Sequence, residues 1–190
     1  MPSRAVYWLL AALLPSLAIA GVGHHVKDDH WTDEFDPLFR KYTKHYFGAH
    51  FDWHWFKAQA IAESGLDPDA RSPMGARGIM QILPSTYEEI RERNPFLSDI
   101  SNPRWNIAAG IFYDRQLYRK WKRKPDIHTE ERLMFAFGSY NAGFGNILRA
   151  HKRAAGRHDR VKTWEQVAPF SPRETKHYVK RIQRLMGEVD

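Results

Sequence analysis

Asp52-Trp-His-Trp-Phe-Lys-Ala-Gln-Ala-Ile-Ala-Glu-Ser-Gly65 reads as one helix with both ends marked. Asp52 is an N-cap residue, and Gly65 is a stop that tolerates a left-handed terminus. Between them, Phe56, Ala60 and Glu63 are spaced i, i+4 and i+7 and share one face. A carboxylate therefore lies along the apolar stripe, at the negative end of the helix dipole. Burial and dipole both disfavour its ionised form and raise its pKa toward neutrality. A carboxylic acid that keeps its proton near working pH can serve as a general acid. Helix geometry alone leaves a second reading open, in which Glu63 pairs with an arginine or lies in water at the stripe edge.

The pattern on either side is also helical. Asp36-Pro37 opens a helix through about Tyr46, and Gly48 ends it. Arg71 to Leu83, with Pro73, Gly75 and Gly78, reads as an ordered loop. Ser85-Thr-Tyr-Glu88 is a capping box for a helix to about Arg93. Asn102-Pro103 is an N-cap with Pro at N1, starting a helix to about Trp121. Thr129 caps a helix from Glu130 to Tyr140; its Leu133-Met-Phe-Ala-Phe137 is apolar nearly all round and belongs at the buried centre. Phe144 to Lys152 is helical. Thr163-Trp-Glu-Gln166 and Ser171-Pro-Arg-Glu174 are two further capping boxes, the second opening a helix to about Met186. No alternating strand pair is found. The expected class is mainly α, with any β content confined to residues 71–83.

The 190 residues are 43% hydrophobic, 14% aromatic and 27% charged, which excludes a disordered or collagen-like chain. The absence of cysteine removes disulfide scaffolds, Cys-based zinc sites, thiol nucleophiles and a lipid-modified N-terminal Cys. A net charge of +7 favours an anionic partner without choosing one. Arg4 followed by the uncharged Ala5 to Val22, ending in Ala18-Ile-Ala20, reads as a signal peptide over 1–20, with an uncleaved anchor as the rival. Export makes nucleic acid an unsuitable partner and favours cell wall or membrane surface. Residues 21–34 read as a flexible lead-in. Its His24, His25, Asp28, Asp29 and His30 follow no metal-ligand spacing, and His50 and His54 lack the Glu of a zinc helix. No metal or cofactor is expected. The basic run Arg149, Lys152, Arg153, Arg157, Arg160 and Lys162 reads as a solvated face, with steering toward an anionic wall or lipid surface as the alternative.

Three ordered motifs and a terminal pattern change the standing of Glu63. Glu63-Ser64 is followed by Ser72 and Gly78-Ile-Met-Gln81, then by Tyr140-Asn-Ala-Gly143, then by Pro172 to Val179 with Tyr178. This combination resembles the soluble lytic transglycosylase domain, a lysozyme-like family acting on bacterial peptidoglycan. Ile79 replaces the family's Leu, and Ser139 stands where Ala is usual. The resemblance covers about residues 51–182. It implies a lysozyme-like fold over 35–190 and a single catalytic acid, Glu63. It makes Ser64, Ser72, Gly78, Ile79, Met80, Gln81, Tyr140, Asn141 and Tyr178 candidate substrate-binding residues. It further implies cleavage between N-acetylmuramic acid and N-acetylglucosamine with a 1,6-anhydromuramyl product, in the periplasm or cell envelope. The expected partner is the glycan strand, with the N-terminal segment as a route to the membrane; oligomeric state is not indicated. Asp67-Pro-Asp69 reads as a turn beyond the helix stop. A water-using muramidase and a noncatalytic wall-binding component of an envelope machine are the alternatives.

Overall fold

The structure, a computed structural model, describes residues 24–189; the expected signal segment lies outside them. Among the described residues there are eight α-helices and no strand. They are α1 (Asp36–Phe47), α2 (His54–Ser64), α3 (Pro84–Arg93), α4 (Pro103–Trp121), α5 (Arg132–Ala142), α6 (Phe144–Ala155), α7 (Trp164–Val167) and α8 (Arg173–Leu185), with a 3-10 turn at Ala168–Phe170. The only β geometry among these residues is two isolated bridges, Arg71 to Arg77 and Arg77 to Ile82, inside the loop where sequence confined it.

α5 forms the centre. Leu133 to Ser139 are all buried, and α4, α6 and α8 pack around them. The helix is apolar on every side because every side meets another element. Gly138 permits one of these contacts, since a Cβ there would meet the Trp164 ring at 2.5 Å. Ser139 is fully buried, accepts the Trp121 indole N–H at 2.9 Å and donates to the Phe135 carbonyl at 2.7 Å. An indole N–H in an apolar core needs an acceptor, and alanine would supply none. On α2, Lys57 is buried and forms an ion pair with Asp36 at 2.7 Å, joining α2 to α1.

Helix starts differ from expectation at four points. Asp52 accepts the His54 N–H at 3.0 Å, but α2 itself begins at His54. α3 starts at Pro84, without a side-chain cap from Ser85, because the fixed φ and missing N–H of proline suit the first helical position. α5 starts at Arg132, two residues late; Glu131 reaches across to accept the Trp164 N–H at 2.8 Å. Ser171 does not cap α8, since its hydroxyl turns back onto the Ala168 carbonyl at 2.7 Å. Asn102 and Thr163 cap as expected.

Within the lead-in, Val26 is fully buried and its N–H donates to the Leu185 carbonyl of α8 at 2.8 Å, while most of residues 24–34 are exposed. One valine in a polar stretch is too weak a pattern to announce this from sequence.

Candidate active site

Glu63 stands in the last turn of α2, and Gly65 closes that helix with φ +69°. Its carboxyl is half-buried, and the Tyr178 hydroxyl of α8 donates to its Oε1 at 2.6 Å. Burial pushes the Glu63 pKa up to about 8. The Tyr178 hydrogen bond and the Arg181 charge pull it down less strongly, and Glu174 adds a small upward push. Desolvation therefore outweighs every local donor, and the group holds its proton at neutral pH. Burial also keeps Tyr178 and Tyr140 in their neutral, donating form, well above the ordinary tyrosine pKa.

The loop over 70–82 is fastened beside Glu63. Ser64 donates to the Ile79 carbonyl at 2.8 Å, and Tyr140 donates to the Met80 carbonyl at 2.8 Å. The Met80 N–H donates to Asn106 Oδ1 at 2.8 Å, while Asn106 Nδ2 donates to Arg77 and Ile100 carbonyls at 2.9 and 3.0 Å. Gly78 has φ +71°, and a Cβ there would lie 2.6 Å from Asn106 Nδ2, so only glycine fits. Gln81 also has a positive φ, +44°, and its amide donates to Ala70 and Gly78 carbonyls at 3.1 and 2.9 Å. A left-handed non-glycine residue is thus held by its own side chain.

The expected site residues divide accordingly. Glu63, Ser64, Gln81, Tyr140 and Asn141 keep partial exposure, and Tyr178 is buried with its hydroxyl on Glu63. Asn141 accepts the Thr175 hydroxyl at 2.7 Å. Ser72 accepts the Ala76 N–H at 3.0 Å and closes its own turn. Ile79 and Met80 are wholly buried and Gly78 is buried, unlike the partly exposed residues beside them. α4 packs on this stretch, with Asn106 against Gly78 and Gly110 against Met80. Asn106, which organises the loop, was not found from sequence. Its signal was a polar residue in the apolar string of α4, one turn before Gly110 and two before Asp114. A Cβ on Gly110 would meet the Met80 side chain at 2.7 Å, so this α4 face is shaped to the loop.

Asp67 accepts the Asp69 N–H at 2.8 Å, as a turn beyond the helix requires. Among the described residues no group of three His, Cys, Asp or Glu side chains could hold a metal ion.

Residues 39–162 match the Transglycosylase SLT domain. The chain belongs to this family. Within the SLT family it is 32% identical over 148 residues to the membrane-bound lytic murein transglycosylase F of Aliivibrio fischeri, covering 76% of this chain and 27% of that protein. It is 31% identical over 175 residues to the protein of that name from Pasteurella multocida, covering 82% and 33%. The fold is similar to the crystal structure of the 70 kDa soluble lytic transglycosylase from Escherichia coli, with TM-score 0.67 and 25% identity over 83% of this chain and 24% of that one. The mainly α, lysozyme-like class is thereby shown. This SLT chain spans about a quarter to a third of the length of the curated relatives it matches.

Proposed function

We propose that this chain is a peptidoglycan lytic transglycosylase with Glu63 as its single acid and base. The observation that carries the reading is the Glu63 carboxyl itself. It keeps its proton up to about pH 8 and is aimed by Tyr178 on an otherwise apolar helix face. Family membership supplies the substrate class.

Glu63 gives its proton to the glycosidic oxygen between N-acetylmuramic acid and N-acetylglucosamine. The developing oxocarbenium is stabilised by the neighbouring N-acetyl group of the substrate. Glu63, now a carboxylate hydrogen-bonded by Tyr178 and attracted by Arg181, takes the proton of the C6 hydroxyl. That oxygen closes on C1 and leaves a 1,6-anhydromuramyl end. The donors that lower the Glu63 pKa serve this second half, because they favour the anion that must accept a proton. Most glycosidases use two carboxylates; the commitment of Asp67 to its turn supports one.

Ser64, Gln81, Tyr140, Asn141 and Tyr178 border the cleft, with residues 35–190 as the catalytic unit. A +7 chain suits an anionic wall or membrane surface, and the localisation proposed is the cell envelope. Among the described residues no helix is long and apolar enough to cross a membrane. Mass spectrometry of muropeptides released by the wild-type chain and by Glu63→Gln tests the reading. Anhydro-ended products from the wild type alone are expected. Reducing ends would make it a muramidase, and glycan binding without products would make it a binding component.

A further inference from the structure

A second carboxyl lies in the wall behind Glu63. Asp114 of α4 and Gln59 of α2 are both fully buried, and Gln59 Nε2 donates to Asp114 Oδ1 at 3.4 Å. The other oxygen of each side chain, Asp114 Oδ2 and Gln59 Oε1, is buried without a hydrogen-bond partner. No ion pair among the described residues involves Asp114. The titratable groups bearing on Asp114 are Glu63 of α2, its chain neighbour Tyr113 of α4, Tyr140 of α5 and Tyr178 of α8, none of them cationic. Arg181 of α8 bears on Glu63.

Two orphaned acceptors facing an amide make a deficit of one donor. One proton on Asp114 removes it, because a carboxylic acid and a primary amide can exchange two hydrogen bonds in a ring. A buried carboxylate with neither cation nor full hydrogen bonding neutralises instead. Burial also drives the Asp114 carboxyl well above its ordinary range, with a further push from Glu63.

We propose that Asp114 carries a proton in the working protein and, coupled to Gln59 as an uncharged acid–amide pair, is a positioning residue for Glu63. Gln59 and Glu63 are one turn apart on α2. Fixing Gln59 to α4 fixes the rotation of α2 about its axis, and with it the direction of the Glu63 carboxyl toward Tyr178. Being neutral, Asp114 adds no negative charge beside a Glu63 that must itself become an anion during turnover. An ionised Asp114 would hold Glu63 protonated and block the second half of the reaction.

The inference rests on the transglycosylase reading for its activity readout. Infrared spectra of the full chain carrying Glu63→Gln, with and without Asp114→Asn, report the protonation independently. A protonated-carboxyl band near pH 7 that vanishes with Asp114→Asn is expected, and its absence in the Glu63→Gln chain overturns the proposal. In turnover, Asp114→Leu lowers kcat by about ten-fold or more with KM changed less than about three-fold. Asp114→Asn, which can form the same two-bond ring with Gln59, restores kcat to within about five-fold of wild type and keeps the alkaline limb of the pH profile. A limb displaced to lower pH in Asp114→Asn would reveal a charge at this position and contradict the proposal. So would full activity in Asp114→Leu. If Asp114→Leu does not fold, Gln59→Met makes the same comparison. A wild type that releases no anhydro ends overturns the functional reading, while the infrared band still decides the protonation.

Discussion

Glu63 is where local chemistry and global packing meet. Its carboxyl is raised from 4.5 to about 8, so the folded state binds this proton more tightly than the unfolded chain. Stability therefore falls as pH rises from about 4.5 to about 8; above that range the loss is complete and this group adds no further change with pH. Glu63→Gln, which cannot ionise, should melt above wild type at about pH 9 and converge on it near pH 4; scanning calorimetry across that range checks this. The same substitution should cut the rate by at least about 100-fold, read from muropeptide release. Activity that needs a protonated acid should fail as pH climbs through about 8. Tyr178→Phe removes a donor that favours the carboxylate, so its alkaline limb should move to higher pH while its rate drops by about ten-fold. Much of this residue was legible in sequence: its place on an apolar face and at a helix end both pointed to a raised pKa. The opposing partners were not, because Tyr178 and Arg181 lie more than a hundred residues away and meet Glu63 only through the packing of α8 against α2.

The elements show why motif residues can lie in the core. Gly78 and Met80 are buried because one face of α4, carrying Asn106 and Gly110, is fitted against them. Gly78→Ala forces a Cβ onto Asn106 at a left-handed φ, and about 2–3 kcal/mol of stability should be lost in denaturant titration. Asn106→Ala strips three hydrogen bonds, one of them buried and two part-buried, and should cost about 3 kcal/mol by the same titration. Its effect on activity should exceed that of a surface change, since Glu63 and the loop share the Ser64 contact. Sequence reading located this loop and its confined β geometry, because Pro and Gly punctuate it. It missed Asn106, whose partners are backbone atoms distant in sequence. The capping boxes of Ser85 and Ser171 failed for a local reason: Pro84 took the first position of α3, Pro172 took the N-cap position of α8, and the Ser171 hydroxyl found a nearer carbonyl.

At the scale of the molecule, the helices followed from their cap, proline and glycine signals, and the buried centre from the all-round apolar segment of α5. The burial of Val26 did not, since a single contact with α8 leaves no periodic trace. Removing residues 24–34 should lower the melting temperature by several degrees, because Val26 and the packed Trp31 leave the core cluster. A solvated tail would leave the melting curve in place. The exposed basic residues of α6 and the segment after it, Arg149, Lys152, Arg153, Arg157, Arg160 and Lys162, fit a solvated face, with Arg153 already donating to the Phe170 carbonyl at 2.7 Å.

The central claim is that Glu63 completes the reaction with the substrate's own C6 hydroxyl and without water. Digestion of purified peptidoglycan in water enriched in oxygen-18, followed by mass spectrometry of the released muramyl ends, tests it most directly. Anhydro ends free of the label are the result predicted. Reducing ends carrying one labelled oxygen would contradict it, because water would then have attacked C1.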